Sequence, residues 1–182
     1  MSNRQSSADW DADMQRAKAC GIDAFALNIG TDSFTDQQLQ YAYASAQSHG
    51  MKLFLSFDFN YWSTGAATAI GQKIAQYATL PAQLVVDGKV FVSSFVGDAV
   101  DVSAVRNAAG SSIYFAPNFH PGWGTSLSSV DGALNWMGWP NNGNNRAPNS
   151  EQTGTVKAGD QEYVSALNGK DYIARELRFP VI

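Results

Sequence analysis

Residues 24–58 read AFALNIGTDSFTDQQLQYAYASAQSHGMKLFLSFD and contain two short apolar segments on either side of a helical pattern. The segments Ala24–Ile29 and Lys52–Asp58 are mostly apolar, which is typical of strands buried in a parallel sheet. Between them we predict a helix from Thr35, because Thr35 and Gln38 have the spacing of a capping box and apolar residues follow at helical spacing. This strand–helix–strand unit predicts a parallel sheet with right-handed crossovers.

The same alternation continues on both sides of this unit. A helix is predicted over residues 8–20, where Ser6 and Asp9 form a capping box, and a later helix is predicted near residues 161–167. A third helix is predicted around Ile70 and Ile74, ending before Pro81. An Asp-Gly turn at 87–88 predicts a small hairpin that leads into the next strand. The further predicted strands are residues 90–95, 112–119, 132–136 and 172–174, and residues 141–150 are predicted to form a polar loop.

Four strands are predicted to have a polar residue at or next to their carboxyl end: Asn28, Asp58, Asn118 and Asn135. Parallel strands alternating with helices build either a doubly wound sheet or a closed (β/α)8 barrel. Functional side chains gather at the carboxyl ends of barrel strands, so these endings favour the TIM-type barrel. Only about six strands are predicted, whereas a barrel usually takes ~250 residues. We therefore expect one α/β domain over residues 1–182, which is either an incomplete barrel or an open sheet.

The composition limits the classes of partner. Twelve Lys and Arg against sixteen Asp and Glu give a net charge of −4 without a basic stripe, which argues against nucleic acid and anionic membranes. Cys20 is the single cysteine, and neither of the two histidines has a partner at metal-ligand spacing, so no disulfide and no metal site are predicted. No apolar segment is long enough to cross a bilayer, and the polar start of the chain lacks a signal segment, which predicts a cytoplasmic location for the chain as written.

Asp58 is the candidate catalytic residue that the pattern itself indicates, because a carboxylate at the end of an apolar strand lies where burial and neighbours tune its pKa. Its alternative role is a structural acid that caps a loop. Aromatic residues after strand ends are candidates for stacking on sugar rings, with core packing as the alternative for each. His120 is a candidate hydrogen-bond partner for a hydroxyl or for a catalytic acid, with a structural role as the alternative. The aromatic candidates are Phe59, Tyr61, Trp62, Trp123, Trp136 and Trp139.

Several collinear stretches together resemble glycoside hydrolase family 71, the fungal endo-α-1,3-glucanases or mutanases. The stretches are Ala8-Asp9-Trp10 with Asp13-Met14, residues 21–30, residues 52–58, residues 87–95, and residues 131–136 with Trp139-Pro140. The resemblance implies a barrel that hydrolyses α-1,3-glucan with inversion and needs no cofactor. It places Asp58 at an acidic position of the family. It also implies that Asn28, Asp131 and Trp136 lie near the substrate cleft.

Two features of the family are not expected within this sequence. The family opens with a strand of the type His-Phe-x-x-Gly, which residues 1–7 do not contain, and its Trp-Asn-Asp-Tyr-Gly-Glu-Ser motif, the source of the main acidic pair, is expected beyond residue 182. Members of the family are normally secreted. The sequence therefore leaves three possibilities open: a hydrolase-type domain, a non-catalytic glucan-binding module that uses the aromatic residues alone, and an inactive truncated remnant.

Overall fold

Helices and strands alternate along residues 1–136, 138 and 149–174, which are the residues that the computed structural model describes. The helices are α1 (Ser7–Ala19), α2 (Thr35–His49), α3 (Ala67–Tyr77), α4 (Val102–Ala109) and α5 (Ser150–Leu167). The strands are β1 (Ala24–Ile29), β2 (Lys52–Asp58), β3 (Val85–Val86), β4 (Lys89–Phe95), β5 (Ile113–Phe115), β6 (Gly132–Asn135) and β7 (Asp171–Ala174). The predicted alternation of helices and strands is confirmed.

The parallel strands follow one another in chain order. β1, β2, β4 and β5 are neighbours in one parallel sheet, with the short β3 antiparallel to β4, and β6 pairs in parallel with β7. Among the described residues, backbone hydrogen bonds link the two sheets: the N–H of Asp131 donates to Phe115 O at 3.0 Å, and that of Leu134 donates to Pro117 O at 3.2 Å. The carboxyl ends of these strands therefore lie along one edge, here called the carboxyl edge.

The two faces of the sheet are covered differently. All five helices contribute to one apolar cluster together with alternate strand residues such as Leu55, Val92 and Phe115. The opposite face carries a smaller cluster around Phe54 and Phe91, in which no helix of the described residues takes part. Alternation along a strand sends successive side chains to opposite faces. The helices therefore pack on one side of the sheet, and the other side is lined by strand residues.

Local sequence signals set several helix boundaries correctly. The Ser6 N–H donates to the Asp9 carboxylate at 3.0 Å, so the predicted capping box of α1 is confirmed. α2 begins at Thr35 as predicted, but Thr35 and Gln38 do not form a capping box, and that prediction was wrong. Instead, the buried Gln38 accepts a hydrogen bond from Trp10 Nε1 at 2.8 Å. The Gln38 side chain therefore accepts the hydrogen bond of the buried Trp10 indole and does not cap the start of α2.

Other boundaries differ from the prediction. The Asp-Gly turn is confirmed, with φ values of 50° at Asp87 and 73° at Gly88, as a tight hairpin requires. The predicted strand 112–119 is regular only over Ile113–Phe115 and pairs again at an isolated bridge between Asn118 and Phe95. α4 was not predicted. α5 begins eleven residues before its predicted start, at Ser150, and the predicted loop residues 141–148 lie outside the described residues.

Candidate active site

A hydrogen-bonded polar group lies at the carboxyl edge, on the face of the sheet that no described helix covers. Asn28 of β1 and Ser56 of β2 are paired in register, and Asp58 follows two residues later on the same face. The Asn28 amide Nδ2 donates to Asp58 Oδ2 at 3.0 Å, and the Ser56 hydroxyl donates to Asn28 Oδ1 at 3.2 Å. The structure thus brings together two of the predicted site residues, Asn28 and Asp58.

The half-buried carboxylate of Asp58 is held by neutral donors. One oxygen accepts from Asn28, and the other accepts from the backbone N–H of Asn60 at 3.0 Å. Neutral donors fix the direction of a carboxylate without neutralising its charge, whereas an Arg or Lys partner would do both. Asp58 is therefore an oriented carboxylate at the end of a buried strand, which suits it to accept a proton or to stabilise positive charge.

The aromatic candidates divide into packed and exposed residues. Trp62 donates from Nε1 to Ile29 O at 3.1 Å and meets the Phe57 ring edge-on, while Trp136 meets the Phe95 ring edge-on. Both indoles are half-buried and pack against rings at the edge. Trp139 lies outside the described residues.

Tyr61 and Trp123 are the exposed members of the set, with 64% and 71% of their surface accessible. The Tyr61 ring lies against Gly30, where an added Cβ would be 3.3 Å from the ring. Trp123 stacks on His120 with ring centroids 3.9 Å apart. An aromatic ring that stays open to solvent beside polar groups can stack on the C–H face of a sugar.

His120 belongs to a second polar group, which contains a carboxylate that the sequence reasoning missed. Its backbone N–H donates to Asp98 Oδ1, its ring Nδ1 lies 3.0 Å from Asp98 Oδ2, and the Thr125 hydroxyl donates to Asp98 Oδ1 at 2.9 Å. Burial alone would raise the pKa of the Asp98 carboxyl, but hydrogen bonds from His120 and Thr125 outweigh it and hold that pKa below its usual value. Asp98 is thus a carboxylate at neutral pH.

The turn that carries Asp98 is strained. Val96 has φ 52°, a left-handed conformation that is unfavourable for a β-branched side chain, and Gly97 follows at φ 105°. A Cβ added at Gly97 would lie 2.3 Å from Cδ2 of Phe59, so the turn after β4 packs closely on the residue that follows Asp58. The half-buried Phe59 therefore connects the two polar groups through packing. Strain of this kind concentrates at functional sites.

Asp131 lies at the opposite edge of the sheet, beside the amino ends of β4 and β6. It forms ion pairs with Lys89 at 3.0 Å and Arg106 at 2.6 Å, and it accepts from the Phe115 N–H at 2.9 Å. Burial acts to raise the pKa of Asp131, but Arg106, the Phe115 N–H and Lys89 lower it below its usual value. The structure does not bring Asp131 together with Asn28 and Asp58, and its contacts tie α4 to two strands.

Among the described residues there is neither a group of side chains that could bind a metal ion nor a helix that could cross a membrane. No three His, Cys, Asp or Glu side chains in residues 1–136, 138 and 149–174 are placed to hold a metal ion. In the same part of the chain, every helix is too short or too polar to cross a bilayer.

The sequence comparisons identify the family of the chain. The profile of glycosyl hydrolase family 71 matches residues 1–176, which is nearly the whole chain. The chain belongs to glycosyl hydrolase family 71. Its relatives include a mutanase of Penicillium rubens, 41% identical over 170 residues, and a glucan endo-1,3-alpha-glucosidase of Schizosaccharomyces pombe, 38% identical over 184 residues. An ascus wall endo-1,3-alpha-glucanase of Schizosaccharomyces pombe is 27% identical over 155 residues.

The matches cover most of this family 71 chain but a smaller part of each relative. They include 91%, 92% and 73% of the chain, and 38%, 42% and 35% of the length of the three relatives in the same order. The chain therefore spans about two fifths of the length of the curated relatives it matches. The stretches that carry the resemblance, including residues 21–30 and 52–58, contain Asn28 and Asp58.

Proposed function

We propose that this family 71 chain is a glycoside hydrolase unit for α-1,3-glucan, with the substrate bound at the carboxyl edge and Asp58 as one catalytic carboxylate. The observation that carries the proposal is the hydrogen-bonded group of Asn28, Ser56 and Asp58 at the ends of two neighbouring parallel strands. Active sites of parallel α/β folds lie at this end of the strands.

The proposed architecture is an arc of a (β/α)8 barrel over residues 1–182. Strands in chain order, with every described helix on one face, fit the wall of a barrel. A doubly wound sheet has helices on both faces and a reversal of strand order, and neither feature occurs among the described elements. In the barrel, the face that carries Phe54, Phe91 and Asp58 points inward. Substrate would then lie across the mouth, over Asp58.

The substrate class follows from the chemistry of the edge and from the names of the relatives. The relatives are named as a mutanase and as endo-1,3-alpha-glucan hydrolases. The carboxyl edge offers amide, hydroxyl and imidazole groups together with the exposed rings of Tyr61 and Trp123. Such a surface suits a neutral polysaccharide, whose hydroxyls need hydrogen-bond partners and whose C–H faces need apolar contact.

The proposed role of Asp58 is that of an acid or base in inverting hydrolysis. Inversion uses two carboxyl groups roughly 6.5 to 9.5 Å apart, so that a water molecule fits between the base and the anomeric carbon. Asn28 and the Asn60 N–H fix the direction of the Asp58 carboxylate. The reaction breaks the glycosidic C–O bond and forms a C–O bond from the attacking water to the anomeric carbon. Asp58 and a second carboxyl group share the proton transfers: one gives a proton to the leaving oxygen, and the other takes a proton from the water.

The experiment that tests this proposal compares sugar release and glucan binding in two matched variants. Asp58→Asn removes the charge at the carboxyl edge, and Asp87→Asn makes the same change at an exposed turn, where Asn tolerates the left-handed backbone. We expect the purified chain and Asp87→Asn to bind α-1,3-glucan, and any release of reducing sugar by these two proteins to fall at least about 10²-fold in Asp58→Asn. Equal release by both variants would contradict the role of Asp58. Binding to insoluble glucan without release by any protein would favour the non-catalytic binding module.

A further inference from the structure

We propose that Asp98 is a positioning residue that fixes the ring of His120 so that Nε2 accepts a hydrogen bond from a glucan hydroxyl beside Trp123. The inference rests on the proposed glucan-binding function and adds a residue that neither the sequence pattern nor the family resemblance identified. Asp98, His120, Thr125 and Trp123 are called the histidine group below.

The tautomer of His120 follows from its contact with Asp98. A carboxylate is only a hydrogen-bond acceptor, so the 3.0 Å contact between Asp98 Oδ2 and His120 Nδ1 requires the proton to be on Nδ1. In the neutral ring, Nε2 is then the atom with a free lone pair. No described residue donates to Nε2, and a hydroxyl of a polysaccharide is a suitable donor.

Asp98 is held by more hydrogen bonds, and is less exposed, than the carboxylate of a typical surface ion pair. Both carboxylate oxygens are occupied, one by the ring of His120 and the other by the His120 backbone N–H and the Thr125 hydroxyl. The side chains of His120 and Asp98 are only 19% and 16% exposed. The ring therefore has little freedom to rotate away from Asp98. A ring held in this manner presents its remaining nitrogen in a constant direction.

Trp123 adds an apolar surface at the same point. One face of its indole stacks on His120 at 3.9 Å between centroids, and 71% of the residue remains exposed. A sugar ring that stacks on the open part of the indole would bring a hydroxyl within reach of the neighbouring imidazole. The histidine group thus combines the two contacts that define a sugar subsite, an aromatic surface and a directed hydrogen-bond acceptor.

The position of the histidine group relates it to Asp58. The strained turn at Val96 and Gly97 directs the chain from the end of β4 to Asp98, and Gly97 packs against Phe59, which follows Asp58. The two polar groups are therefore neighbours along the carboxyl edge rather than separate sites. A glucan chain that passes over Asp58 would place a neighbouring glucose unit on the histidine group.

The test combines a tautomer measurement with a binding measurement on the purified chain. The variant is Asp98→Asn, and the matched control is Asp101→Asn, which makes the same charge change three residues away and keeps an N-cap for α4, because Asn caps as well as Asp. Nitrogen-15 NMR shifts of the imidazole, recorded above the titration range and assigned with His49→Gln, report which ring nitrogen carries the proton. Affinity is measured by titration with soluble α-1,3-linked glucose oligomers.

We expect His120 to carry its proton on Nδ1 in the wild type and in Asp101→Asn. Asp98→Asn is expected to move part or all of the proton to Nε2 and to weaken oligomer binding about fivefold to tenfold, the loss expected for one hydrogen bond. A wild-type proton on Nε2, or unchanged affinity in Asp98→Asn, overturns the positioning role while leaving the proposed function intact. An absence of oligomer binding by the wild type overturns the proposed function and, with it, this role of His120. The tautomer result shows separately whether the pairing itself exists.

Discussion

Gly71 in α3 provides a sharp test of how closely the helices pack. A Cβ added there would lie 2.4 Å from Val105 O and 2.6 Å from Ala108 Cβ of α4. In an open helix position, Gly→Ala stabilises a protein by about 0.5–1 kcal/mol. Here the added methyl group meets main-chain atoms of another helix, and overpacking of this kind costs about 1–3 kcal/mol. We therefore expect Gly71→Ala to lower the free energy of unfolding by about 1–2 kcal/mol.

Urea unfolding followed by circular dichroism measures this change, with Gly154→Ala in α5 as the matched control. The exposed Gly154 has no described atom within 4 Å of an added Cβ, so the same substitution is expected to raise the free energy of unfolding by about 0.5–1 kcal/mol. The two variants should thus change stability in opposite directions. If Gly71→Ala proved as stabilising as Gly154→Ala, α3 and α4 would not approach each other as the structure describes. These helices follow β2 and β4, the strands that lead to Asp58 and to the histidine group.

Three further predictions concern the two edges of the sheet. Asp131→Asn should lower the free energy of unfolding by about 2 kcal/mol at neutral pH, because Arg106 loses a charged partner. Because folding lowers the pKa of Asp131, the stability difference between wild type and Asp131→Asn should be complete above about pH 4 and should shrink as the pH falls through the pKa of the folded state. Urea unfolding across this pH range measures the difference, and a difference that does not change with pH would refute the prediction. Trp123→Ala should change stability by less than about 0.5 kcal/mol but weaken glucan binding about tenfold, and an unchanged depletion isotherm on insoluble glucan would argue against stacking. Gly97→Ala should cost about 1–3 kcal/mol, because the left-handed backbone and the Phe59 ring leave no space for a methyl group; a neutral effect in thermal unfolding would contradict that packing.

The sequence predicted the elements whose signals are local and strong. The β1–α2–β2 unit has apolar strands, a helical spacing of Leu39, Ala42 and Tyr43, and a Gly50 end, and all of it is found. α4 was missed because eight residues give little periodicity, although Asp101 caps it and accepts from the Ala104 N–H at 3.0 Å.

Most of α5 was missed for a different reason. Gly154 and Gly159 lower its intrinsic helix propensity by about 1 kcal/mol each. The first turns of α5 are polar, so the hydrophobic pattern gave no early signal. The pair of Asn149 and Gln152 is the signal that could have found the start, since the Asn149 side chain accepts from the Gln152 N–H at 2.9 Å.

The candidate site was predictable where it depends on strand ends and not where it depends on turns. Asn28 and Asp58 close predicted strands, so their proximity at one edge could be expected from parallel pairing. Asp98 lies three residues beyond β4, after two positive-φ residues, and its direction depends on a turn that the sequence pattern does not specify. Asp131 comes directly before β6 and therefore lies at the amino edge, which its position in the sequence already indicated.

The central claim, that α-1,3-glucan binds at the carboxyl edge, is tested most directly by a nitrogen-15 NMR titration of the chain with soluble α-1,3-linked glucose oligomers. We expect shifts at the Asn28 side-chain amide, the Asn60 and His120 backbone amides and the Trp123 indole, with none at Asp131 or Lys89 on the amino edge. Saturable shifts confined to the amino edge, or no shifts at any oligomer concentration, would contradict it.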